Sequence, residues 1–157
     1  MDAIRFILNG KEVAYEGSGA DRLLDVLRDC FSCKSVKCGC KEGECGACSV
    51  LIDGVLINSC CVAMGAVEGS TVVTIEGFRE TERFAALSKA FGELSAVQCG
   101  FCIPGMVLAA EALLSKNPHP TEDDIREGLS GNLCRCTGYN AIVNAVKNAA
   151  KEGNGLW

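Results

Sequence analysis

The chain has 157 residues and a formal net charge of −5, with 48% hydrophobic and 22% charged residues. That balance suits one folded domain, or two small ones, and excludes a disordered chain. The acidic surplus excludes nucleic acid as the main partner, because a phosphate backbone calls for a basic face. No apolar run approaches the roughly 18 residues of a membrane span, and the first ten residues lack the basic, apolar and small-residue regions of a secretory leader. The expected setting is cytoplasmic, with no membrane partner.

Residues 1–75 read as short strands and turns. Ile4, Phe6 and Leu8 alternate along a first strand, Asn9-Gly10 is a hairpin dipeptide, and Val13 and Tyr15 alternate along the return strand. Asp21 is placed to cap a short helix with Leu23, Leu24 and Leu27 on its apolar face. A glycine- and cysteine-rich stretch runs from Cys38 to Cys48. A second hairpin follows, Ser49–Ile52 and Val55–Ile57 about the Asp53-Gly54 turn, and Val72–Ile75 is a last strand.

The polar run Glu76–Glu82 marks a boundary, and the period behind it becomes helical. Phe84, Leu87, Phe91 and Leu94 trace one helix. Met106, Val107, Ala110, Leu113 and Leu114 trace a second, with Pro104 suited to its first turn. Thr121 is an N-cap for a third helix running to about Leu129, and Ile142, Ala145, Val146 and Ala149 trace a fourth. Four short helices bury such stripes by packing as a bundle. The tail Glu152–Trp157 reads as frayed. The expected class is α+β, with domains at 1–78 and 79–157.

Chemistry resides in the 12 cysteines. In a reducing compartment so many thiols point to metal rather than to disulfides. Cys40, Cys45 and Cys48 stand as C-x4-C-x2-C, the spacing of plant-type [2Fe–2S] ferredoxins, and a fourth thiol must come from a separate segment, at Cys60 or Cys61. Gly39, Gly43 and Gly46 let backbone N–H groups approach sulfur. Zinc favours paired C-x2–4-C knuckles, and only Cys45 and Cys48 make one here. Cys38 loses the x4 spacing to Cys45. Cys30 and Cys33 read as free thiols near a helix end. A second set, Cys99-x-x-Cys102 and Cys134-x-Cys136, is separated by 31 residues, and each pair precedes a predicted helix. A helix N-terminus favours an anionic, thiolate-bound cluster. His119, the single histidine, lies between two prolines and is a poor candidate for catalysis or metal binding.

Three segments, Lys37–Cys48, Gln98–Cys102 and Gly131–Gly138, together resemble the small iron–sulfur subunit of the molybdenum hydroxylases, the xanthine dehydrogenase and aldehyde oxidoreductase family, over about residues 4–150. The resemblance implies a β-grasp ferredoxin-like domain followed by a four-helix bundle. It implies one [2Fe–2S] cluster on Cys40, Cys45, Cys48 and Cys60, facing a flavin subunit. A second would sit on Cys99, Cys102, Cys134 and Cys136, near a molybdopterin cofactor contacted by Gln98 and the region of Cys136. The implied partners are a molybdopterin-binding large subunit and an FAD-binding subunit in a hetero-oligomeric complex, dimerised or not. The implied reaction is water-derived hydroxylation of an N-heterocycle such as nicotinate or a purine, with electrons passing to FAD and then NAD(P). No dinucleotide fingerprint or P-loop lies in this chain, so it holds no catalytic residue for that reaction. Two other readings compete: a free-standing two-cluster ferredoxin that diffuses between partners, and a zinc-stapled interaction module.

Overall fold

A computed structural model describes residues 3–153 and 155–157. Strands β1 (Ile4–Leu8) and β2 (Lys11–Tyr15) form the first hairpin, and β3 (Ser49–Ile52) and β4 (Val55–Asn58) the second. Both turns use the mirror-image geometry that matches strand twist, with positive φ at Asn9 and Gly10 and again at Asp53 and Gly54. Strand β5 (Thr71–Val73) lies between the hairpins, parallel to β1 and antiparallel to β3, in the order β2-β1-β5-β3-β4. Helix α1 (Leu23–Asp29) buries Leu23, Leu24, Val26 and Leu27 in a cluster with Phe6, Leu8, Val50 and Val72. The alternation read from the sequence is thus the alternation of the sheet's buried face.

The helical part comprises α2 (Ile75–Phe78), α3 (Glu82–Glu93), α4 (Ile103–Lys116), α5 (Glu122–Gly128) and α6 (Asn140–Glu152). The last four are the expected bundle. Their buried cluster includes Leu87, Phe91, Met106, Leu114, Ile125, Ile142 and Val146, and also Leu51 of β3. Pro104 sits in the first turn of α4. Thr121 caps α5 through a capping box: its hydroxyl accepts from Asp124 N, and the Asp124 carboxylate accepts from Thr121 N at 2.8 Å.

Four local expectations are corrected. Asp21 does not cap α1: Arg22 holds the N-cap position without a side-chain bond, and the Asp21 carboxylate instead accepts from Tyr15 Oη and Ser18 N. The last strand stops at Val73, and Ile75 opens the short helix α2. The polar run after it is not merely a linker, because Phe78 is buried against the helices. The described residues of the tail, which leave out Asn154, are anchored rather than frayed: Trp157 Nε1 donates to Glu111 Oε2 at 2.7 Å, and Arg83 Nε donates to the Leu156 carbonyl at 2.8 Å. Glu111 interrupts the apolar stripe of α4 as a buried carboxylate, which also accepts from Arg83 Nη1 at 2.8 Å and Ser115 Oγ at 3.0 Å. A polar side chain buried at that point needs these donors.

Candidate metal centres

The loop from Cys38 to Cys48 has no regular secondary structure and is shaped by hydrogen bonds to sulfur. Three backbone N–H groups, of Glu42, Glu44 and Cys45, donate to Cys40 Sγ at 3.5, 3.3 and 3.4 Å. These donors, led by Glu42 N–H, bring the Cys40 thiol down to about 6. The loop is therefore preformed for a sulfur anion. A Cβ at Gly39 would stand 2.6 Å from Cys45 Sγ, so only glycine leaves room for that sulfur.

The fourth member of the set lies on a short 3-10 turn, Ser59–Cys61, directly after β4. Asn58 Nδ2 donates to the Gly43 carbonyl at 2.7 Å, and Ser59 Oγ donates to the Cys48 carbonyl at 2.7 Å. These two bonds hold the turn against the loop. Cys60 faces inward and is buried, and Cys61 is exposed. Burial pushes the Cys48 thiol up to about 12. A buried thiolate needs a compensating charge, which a bound iron supplies.

The second set is built at two helix starts. Cys102 is the N-cap residue of α4, and Cys134 and Cys136 lie on the loop that leads into α6. Cys136 Sγ lies 3.6 Å from Cys99 Sγ. All four thiols line one cavity of about 430 Å³, together with Phe101, Leu133, Arg135 and Tyr139. Here two thiols are raised and one lowered, Cys136 being raised chiefly by its contact with Cys99. Burial pushes Cys102 up to about 12. Burial acts in the same direction on Cys134 but is outweighed by hydrogen bonds, chiefly from the Thr137 hydroxyl at 3.1 Å, so this thiol falls below its usual value. Tyr139 holds the loop's path: its hydroxyl accepts from Cys134 N at 2.9 Å, and its own backbone turns through φ 72°.

The two sets are fastened to each other. Leu133 N donates to the Cys45 carbonyl at 2.9 Å, and buried Asn132 donates through Nδ2 to the Gly46 carbonyl at 2.9 Å. Gly46 has φ +68°, and a Cβ there would overlap the Gly131 carbonyl. Gly105, in the first turns of α4, packs so closely on the Gly46 carbonyl that a Cβ would overlap it as well.

Donor set, glycine cradle and N–H groups aimed at sulfur all fit iron–sulfur clusters better than any zinc site, for which the C-x-C pair is too tight. A family model described as a [2Fe-2S] binding domain matches residues 74–147. The nicotinate dehydrogenase small FeS subunit of Eubacterium barkeri is 48% identical over 149 residues, 95% of this chain and 95% of that one. The chain belongs to the iron–sulfur small subunits of the molybdenum hydroxylases.

Other members show how such a subunit is used. The xanthine dehydrogenase iron-sulfur-binding subunit of Escherichia coli O157:H7 is 41% identical over 94% of each chain. Quinoline 2-oxidoreductase from Pseudomonas putida 86 contains a chain that superposes with a TM-score of 0.90 at 39% identity, covering 97% of this chain and 94% of that one. Aldehyde oxidoreductase from Desulfovibrio gigas superposes with a TM-score of 0.91 at 38% identity over all of this chain but only 18% of its own. The small subunit of a molybdenum hydroxylase is thus a separate chain in some enzymes and one segment of a longer chain in others. It is a non-catalytic part of an oxidoreductase.

The remaining residues singled out in the sequence lie apart from the thiols or at their edge. Gln98 is exposed next to Cys99, and α4 takes no side-chain cap from it. Cys30 ends α1 and is exposed, Cys33 is buried, and neither forms a disulfide. His119 is exposed in the turn before α5. No described helix is long and apolar enough to cross a membrane. Sequence reasoning missed Asn58, Ser59, Asn132, Thr137 and Tyr139. Their signal was proximity to the cysteines, since each lies within three residues of a candidate ligand.

Proposed function

We propose that this subunit is the electron wire of a molybdenum hydroxylase complex. Electrons enter from a molybdopterin-bearing partner, cross from the second cysteine set to the first, and leave to FAD and then NAD(P) on a second partner. The observation that carries this reading is the cavity lined by Cys99, Cys102, Cys134 and Cys136, bonded through Leu133 to the loop whose backbone N–H groups cradle Cys40 Sγ. Each set would hold one [2Fe–2S] cluster: Cys40, Cys45, Cys48 and Cys60 in the domain spanning 1–78, and Cys99, Cys102, Cys134 and Cys136 in the domain spanning 79–157. A bound cluster supplies one-electron redox chemistry.

The chain's own residues give the wire its shape. The N–H groups on Cys40 and the Thr137 hydroxyl on Cys134 hold negative charge on sulfur. Cys99, Cys136 and Gln98 stand at the exposed edge of the second set, ringed by exposed Val97, Phe101 and Leu133. Exposed apolar side chains about a redox centre fit a stable partner surface and argue against a freely diffusing carrier. This edge would face the molybdopterin, with Gln98 and Cys136 in reach of the pterin. The substrate would be an N-heterocycle such as nicotinate or a purine, in line with the nicotinate dehydrogenase relative.

The test is EPR of the reduced complex. Two distinct rhombic signals are expected, with Cys40→Ser abolishing one and Cys102→Ser the other. A single signal in the parent protein would overturn the two-cluster reading. Co-purification with larger partners is expected, and isolation as a lone, fully active electron carrier would overturn the subunit reading.

A further inference from the structure

Cys61 has no place in the proposed ligand sets, yet its sulfur lies 3.7 Å from Cys60 Sγ. Two thiolates on one tetrahedral metal at about 2.3 Å stand about 3.8 Å apart, so this is the separation of neighbouring ligands. Cys61 Sγ also overhangs the cluster loop: a Cβ at Gly43 would come within 2.9 Å of it. It is exposed at the site's rim, whereas Cys60 is buried.

The turn that carries both residues does not depend on the Cys60 sulfur for its position. Asn58 is bonded to the Gly43 carbonyl, and Ser59 bonds the Cys48 carbonyl through both its hydroxyl at 2.7 Å and its N–H at 3.3 Å. Loss of the Cys60 thiol therefore leaves Cys61 Sγ 3.7 Å from the vacated position, a gap closed by a side-chain rotation together with a small shift of the turn. We propose that Cys61 is a reserve ligand of the first cluster, completing the set with Cys40, Cys45 and Cys48 when the Cys60 sulfur is lost. The inference rests on the assignment of the first cluster to this loop. The exchange is thiolate for thiolate, so it needs no oxidant or reductant.

The test compares Cys60→Ala, Cys61→Ala and the double variant as full chains in their complex, by iron content, EPR and alkylation. Cys61→Ala is expected to keep both EPR signals unchanged. Cys60→Ala is expected to keep both, with the first shifted in its g values and iron content undiminished. The double variant is expected to lose the first signal and half its iron, while the second signal reports an intact fold. Iodoacetamide should label Cys61 in the parent protein and not in Cys60→Ala. A first signal lost already in Cys60→Ala, or Cys61 still labelled there, overturns the proposal. So does a first signal lost in Cys61→Ala, which would make Cys61 the resident ligand. A first signal that survives Cys40→Ser would instead sink the underlying assignment.

Discussion

Gly105→Ala sets two effects of opposite sign against each other. Gly105 is helical, and helix propensity alone favours alanine there by about 1 kcal/mol. Its Cβ would, however, overlap the Gly46 carbonyl and crowd the Asn132 amide at 2.9 Å. Backbone cannot move aside cheaply. Overpacking costs about 1–3 kcal/mol. Displacing the Gly46 carbonyl also loosens its bonds from Asn132 Nδ2 and Ser49 Oγ, at about 1 kcal/mol each. The net expectation is a loss of about 2–4 kcal/mol, a fall in melting temperature of about 4–16 °C for a chain of this size. Gly92→Ala is the control, since Gly92 is also helical but nothing lies near its Cβ position. That variant should gain up to about 1 kcal/mol, or about 2–4 °C. Far-UV circular dichroism of iron-loaded protein, at one scan rate, reads both. If Gly105→Ala raises the melting temperature as Gly92→Ala does, α4 does not press on the cysteine loop and the reasoning fails.

Glu111→Ala should cost about 2–3 kcal/mol, because it strands Arg83, Ser115 and Trp157, and Arg83 is partly solvated; emission from the single tryptophan should shift to the red, and an unshifted spectrum would refute the docked tail. Burial acts to raise the Glu76 carboxyl, but bonds from the Ser35 hydroxyl, the Thr74 hydroxyl and Ser35 N hold it below its usual value. Its stabilisation is therefore present above the unfolded carboxylate pKa near 4.3 and is lost as pH falls, so Glu76→Gln should flatten the acid limb of the stability curve, and an unchanged limb would refute this. The bond from Tyr15 to Asp21 raises the phenol to about 12. Its contribution is complete below the unfolded value near 10 and disappears as pH rises through 12; NMR titration of labelled tyrosine should show Asp21→Asn returning the midpoint toward 10, and an unmoved midpoint would refute the bond.

The hairpins and the four main helices were legible because their signals are local. Asn9-Gly10 and Asp53-Gly54 name their turn type in two residues, and the stripes of α4 and α6 repeat with the helix period. The ligand candidates were legible for the same reason: spacing within a loop is a short-range property. What escaped is what depends on contact across the chain. Asp21 looks like an N-cap, but Tyr15 and Ser18 compete for its carboxylate and hold it elsewhere. Phe78 stands in a polar run and gains its burial only from helices that follow. Trp157 is anchored by a carboxylate that lies on the apolar stripe of α4, where its charge rather than its position would assign it to solvent. Asn132 stands inside the Gly131–Gly138 segment, but nothing local points to its partner, since its bond to Gly46 spans 86 positions.

That long span bears on how the protein is made. The Cys40–Cys48 loop leaves the ribosome early, when Asn132 and Leu133 do not yet exist. Until they are synthesised, one side of the loop lacks its wall, the Cys45 carbonyl lacks its partner, and the Gly46 carbonyl keeps only its bonds from Ser49. The first thiol set therefore acquires its final enclosure only once the segment around Asn132 has been made, so a chain that already carries this segment is better shaped to receive iron than a shorter nascent one.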